Sequence, residues 1–84
     1  MAFVSGAQLR AARALLRMEQ SRLAELAGVS PVTISNLERS DGPLNARTAT
    51  LRSIQHVLET AGVEFVNGDK PGARLDLSKA ESAA

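Results

Sequence analysis

The sequence predicts a mainly helical domain, four helices closed by a short C-terminal β-hairpin. Two observations carry this. From Ser5 to Ala61 apolar residues recur three and four positions apart, as on the inner face of a helix, and three interruptions divide them into four segments. After Gly62 the period drops to two, in "VEFV" and again in "ARLDL", with the turn-forming run "NGDKPG" between them. A third observation bounds the size of the answer. The chain has 84 residues and no cysteine, so it is one small domain with neither a disulfide nor a thiolate metal site. Domains of this size commonly draw extra buried surface from a second copy.

Ser5 can cap the first helix, and Gln8, three residues on, can complete a capping box. Leu9, Ala12 and Leu16 share one face, Leu15 widens it, and Arg10 and Arg17 point away. This helix should fade near Arg17. The second runs from about Gln20 to Ala27, with Leu23, Ala24, Leu26 and Ala27 inward. Glu19 sets a negative charge at its positive end, and Gly28 follows where a left-handed residue stops it. Ser30 and Pro31 are a cap and a preorganised first turn for the third helix. Its Ile34 and Leu37 face inward. Val32, Thr33, Ser35, Asn36 and Arg39 stay on an outer arc, which is poorer in long charged pairs than an ordinary solvated face. "SDGP" breaks the chain. Asn45 can then cap a fourth helix reaching Ala61, with Leu51, Ile54, Leu58 and Ala61 as its stripe, Val57 beside them and His56 toward solvent.

In the hairpin Val63, Phe65, Ala73, Leu75 and Leu77 must share a face, so odd residues pair with odd. One such register sets Phe65 against Leu75 and Glu64 against Asp76, which repel. Another sets Val63 against Leu75 and Glu64 against Arg74, which attract. Electrostatics favours the second. The hairpin spans 63–77, and "SKAESAA" (78–84) reads as a frayed tail.

Charge is distributed unevenly. Residues 1–52 hold seven arginines against four acidic groups, whereas residues 53–84 have an acidic excess. The surplus of positive charge thus lies with the paired helices, as nucleic-acid binding would require. Catalysis is poorly served: there is no cysteine, one outward histidine and no paired carboxylates at a candidate pocket. Single-stranded nucleic acid is poorly served too, because Phe3 and Phe65 are the only aromatic residues available for stacking. No metal or cofactor is implied. No run of about 18 apolar residues exists to span a membrane, and "MAFV" lacks the charged start of a signal peptide.

Gln20, Leu23, Ala24, Gly28, Val29, Ser30, Ile34, Leu37 and Glu38 together resemble the helix-turn-helix of phage repressors and Cro, the XRE family. The resemblance covers about residues 5–61, with the motif itself at 20–40. Each match has a physical reason. Ala24 is small where two helices cross, Gly28 makes the turn, and Val29, Ile34 and Leu37 plug the angle between them. The resemblance implies a DNA-binding domain over 1–62 whose third helix enters the major groove, with Pro31, Val32, Thr33 and Asn36 reading bases. Asn36 would pair with adenine, and Val32 and the Thr33 methyl would touch a thymine methyl. Gln20, Ser35, Arg39 and Arg47 would grip the DNA backbone. Relatives also pair an arginine of the first helix with a glutamate ending the third, here Arg13 and Glu38. Several relatives carry glutamine where this chain has Pro31-Val32, which shifts readout toward apolar contact and DNA shape.

Beyond Gly62 the chain resembles short XRE-like regulators that end in a "GVEF" hairpin. A lone hairpin is marginal. Val63, Phe65, Leu75 and Leu77 should therefore cover the helical core, with one hairpin edge at the interface of a homodimer. The implied function is a cytoplasmic bacterial or phage repressor or autoregulator, binding double-stranded DNA as a two-fold dimer with no small-molecule effector. The rival is a protein-interaction module, such as an antitoxin or co-regulator, on the same fold.

Overall fold

The computed structural model describes residues 3, 5–40 and 44–79. Their order is α1 (Gly6–Leu16), α2 (Gln20–Ala27), α3 (Pro31–Glu38), α4 (Thr48–Thr60), β1 (Val63–Val66) and β2 (Gly72–Leu75). The interruption expected at "SDGP" falls mostly on residues 41–43, and the frayed tail mostly on 80–84, outside the described residues.

Local chemistry explains most boundaries. Ser5 accepts the Gln8 N–H at 3.2 Å and starts α1. Arg17 ends it in the left-handed region at φ 53°, its N–H turned back to the carbonyls of Ala14 and Arg13. Gly28, at φ 70°, ends α2, and the Val29 N–H reaches the Ala24 carbonyl at 3.0 Å. Ser30 accepts the Thr33 N–H at 3.2 Å, with Pro31 at the first helical position of α3. The fourth helix departs from expectation. It begins at Thr48 behind an extended Arg47 that makes no side-chain cap, so Asn45 lies exposed in the connection instead of capping it. The Ser53 hydroxyl of α4 donates to the Ala27 carbonyl at 2.6 Å, satisfying an orphan acceptor at the end of α2.

Leu9, Ala12, Leu23, Ala24, Ala27, Ile34, Leu37, Ile54 and Leu58 form the core, joined by Phe3, Val63 and Phe65. Leu26, expected inward, is 45% exposed. The buried stripe of α2 centres on Leu23, Ala24 and Ala27, and Leu26 lies about 100° round the helix from that centre.

The hairpin pairs Val63 with Leu75, Glu64 with Arg74, Phe65 with Ala73 and Val66 with Gly72. This is the register that electrostatics favours, and Arg74 Nε lies 2.9 Å from Glu64 Oε1. Val63 and Phe65 are buried against the helices, while Ala73 and Leu75 are half-buried beside them. The Phe3 ring packs on Phe65 with centroids 5.4 Å apart. Gln8 joins α1 to the hairpin. Its carboxamide nitrogen lies 2.9 Å from the Val66 carbonyl oxygen, 2.8 Å from Asn67 Oδ1 and 3.2 Å from the Gly72 carbonyl oxygen, its two hydrogens shared among these acceptors.

Leu77 corrects the expected strand. β2 stops at Leu75, residues 77–79 turn helical, and Leu77 is 68% exposed instead of lying on the apolar face. Asp76 is the cause. Its carboxylate accepts the Ser78 hydroxyl at 2.7 Å and the N–H groups of Ser78 and Lys79 at 3.0 and 3.4 Å, as a helix N-cap does.

Candidate nucleic-acid interface

One buried carboxylate ties α3 to α1 and α2. Glu38, 3% exposed, ends that helix and faces α1 and α2. Arg13 of α1 grips it with two parallel bonds, Nε to Oε2 and Nη2 to Oε1, the latter at 2.8 Å. Gln20 Nε2 donates to the same Oε1 at 3.0 Å. Arg13 Nη1 also donates to the Met18 carbonyl at 2.8 Å, fixing the α1–α2 connection, and Arg10 donates to the Glu38 carbonyl. Burial pushes the Glu38 carboxyl up. The hydrogen bonds from Arg13 and Gln20 and the charges of Arg13 and Arg10 outweigh it and hold the group below the usual carboxylate range. Gly6 completes the joint. It is buried where α1 meets the end of α3, and a Cβ there would fall 2.3 Å from the Leu37 carbonyl oxygen.

With its inner residues Ile34, Leu37 and Glu38 buried, α3 turns the other side outward. Pro31, Val32 and Asn36 are exposed, Val32 by 66%, and Thr33 and Ser35 are half-buried. The Thr33 and Ser30 hydroxyls lie 3.1 Å apart. Arg39, at the C-cap of α3, donates from Nη2 to Asn36 Oδ1 at 2.6 Å. A recess of about 360 Å³ runs beside this arc, lined by Thr33, Asn36, Leu37, Ser40, Asn45 and Ala46. Arg47 stands exposed at the start of α4, whose first turn carries no acidic residue.

Thus Pro31, Val32, Thr33 and Asn36 share one surface, with Arg39 against Asn36. One amide hydrogen of Gln20 is committed to Glu38 and serves the joint. Sequence reasoning did not single out Gly6 or the reach of Gln8. A glycine and a glutamine at inner positions of an otherwise apolar α1 stripe were the available signal.

Among the described residues no helix is long and apolar enough to cross a membrane. The sequence matches the helix-turn-helix family HTH_3 over residues 9–60, which spans all of α2, α3 and α4 and most of α1. No curated protein gives a significant match.

Proposed function

The chain belongs to the HTH_3 helix-turn-helix family, DNA-binding regulators of the XRE type, and from that premise we propose that it is a dimeric repressor or autoregulator reading an inverted-repeat operator. The observation that carries the reading is the arc of α3, exposed at Pro31, Val32 and Asn36 and anchored from behind by Ile34, Leu37 and Glu38. A helix held this way can enter the major groove, where each base pair presents its own donors, acceptors and methyl groups. Val32 and Thr33 supply apolar contact to thymine methyls, and Asn36 supplies hydrogen bonds. Ser35, Arg47 and the second amide hydrogen of Gln20 hold the sugar-phosphate backbone, with Arg39 beside Asn36. The uncapped N–H groups opening α4 favour a phosphate as well.

Dimerisation completes the reading, with the hairpin as its element. The Asp76 N–H bonds to the Gly62 carbonyl at 2.8 Å, so the alternation of an antiparallel ladder turns the backbone groups of Ala73 and Leu75 away from β1. β2 is also the less buried strand. Its outer edge suits pairing with the same edge of a second copy, and the dimer then spans two half-sites about one DNA turn apart.

Titration of the purified chain against selected and random duplexes, at several salt concentrations, tests the reading. Groove binding requires tighter binding to the selected duplex and affinity that falls steeply with salt. Equal, salt-insensitive binding to both would overturn it. One observation favours the rival, a protein-interaction module. Met18, Leu26, Val57 and Ala61, with Arg22, His56 and Thr60, line a second recess of about 440 Å³ between α2 and α4. The same titration separates the two, since that rival needs no operator.

A further inference from the structure

We infer that Asn36 and Arg39 act as one donor-only reading element that selects guanine, an inference that rests on the DNA reading above and specifies one of its contacts. The argument starts from the 2.6 Å bond from Arg39 Nη2 to Asn36 Oδ1. The two residues are three apart on α3, where side chains are neighbours across one helical turn. Arginine carries five N–H donors and no acceptor, so only the oxygen of the Asn36 carboxamide can face it. That contact fixes the orientation of the amide chemically. The Nδ2 group, with its two hydrogens, is the other arm of the amide, and Arg39 keeps donors that this contact does not use.

This edge does not match adenine. Adenine offers N7 as acceptor but N6–H₂ as donor, so a carboxamide reading it must present its oxygen to N6. Here that oxygen is held by a cation, which would lie close to the adenine amino group and repel its positive hydrogens. Guanine offers two acceptors, O6 and N7, in the same place. The Nδ2 hydrogens and the guanidinium meet both without conflict. Thymine offers one acceptor and a methyl group, and cytosine a donor, so both satisfy the pair less well. Arg39 therefore both orients Asn36 and supplies donors to the base, beyond any phosphate it touches.

The test first selects bound sequences from a random duplex pool with the full chain. The base read by Asn36 is identified as the position whose preference relaxes in Asn36→Ala. Duplexes carrying guanine, adenine or 7-deazaguanine there are then titrated. Guanine should be preferred over adenine about tenfold or more, the scale of one good base contact, and removing N7 should weaken binding. Arg39→Met keeps the aliphatic stem and frees Oδ1, so preference at that position should move toward adenine. Both residues are exposed, and matched thermal unfolding of the variant confirms that its fold is intact. Adenine preferred by the unmodified chain, or an unchanged preference in Arg39→Met, overturns the inference while leaving the DNA reading standing. Binding with no sequence dependence overturns both.

Discussion

Three N–H groups converge on the Glu38 carboxylate, two from Arg13 and one from Gln20, and the group is nearly inaccessible to water. The Arg13 side chain is 21% exposed, so the pair is only partly screened. Exposed pairs couple by less than about 1 kcal/mol. A double-mutant cycle of Arg13→Ala and Glu38→Ala should exceed that, and no coupling would mean that the contact does not persist in solution. The pH dependence has a definite sign. A carboxyl held below its ordinary range contributes stability that is complete above that range, about pH 4.3, and is lost as pH falls through the lower folded value. Urea unfolding from pH 6 to pH 2 should therefore show a steeper acid loss in the unmodified chain than in Glu38→Gln. Parallel curves would remove Glu38 from the account. Gly6→Ala makes a different demand. Alanine is the better helix former by about 1 kcal/mol, but its Cβ would meet the Leu37 and Glu38 carbonyl oxygens at 2.3 and 2.9 Å. The clash should win, costing about 1–3 kcal/mol in denaturant unfolding, and a stabilised variant would contradict the close approach. Ser5 and Ser30 were legible as caps because capping is local chemistry. Gly6 was not, since its neighbour is another helix that no local pattern reveals.

At the scale of elements, the hairpin is tied in by buried Val63 and Phe65, by the Phe3 ring and by the amide of Gln8. It is part of the core, yet β2 has its outer edge turned from β1. Ala73→Pro probes that edge without removing a β1–β2 hydrogen bond, because the lost N–H points away from β1. The variant should keep its helical circular dichroism, sediment as a monomer and bind operator about a hundredfold more weakly, the scale of lost bivalency. A variant that stays dimeric would move the interface elsewhere. The hairpin's existence was readable from period-two alternation, whereas its register lay between two pairings, one favoured by charge and the other by the stacking of Phe65. Its end was not readable. The alternation of "ARLDL" continues through Leu77, but Asp76 captures the following N–H groups and ends the strand early. The start of α4 was missed for a similar reason. Asn45 has the chemistry of a cap, but the helix begins behind Arg47, which offers none.

The whole molecule measures 32 × 32 × 20 Å. Half-sites one DNA turn apart are separated by about 34–36 Å, a spacing that two protomers of this size would match if they pair as proposed. Net charge is only +1, and the positive surplus lies in residues 1–52. The phosphate contacts that carry the salt dependence should then come from that part of the chain. Arg47→Ala should weaken selected and random duplexes alike and reduce the salt slope by about one. An unchanged slope would exclude Arg47 from the backbone contacts. The division of α3 has a further consequence, for how such a chain changes over generations. Ile34, Leu37 and Glu38 answer to the core, whereas Pro31, Val32 and Asn36 are exposed on the opposite side. Substitutions on the arc escape the purifying filter of folding, apart from proline's help in starting the helix. Descendants can therefore diverge in what that surface presents while inheriting the same scaffold.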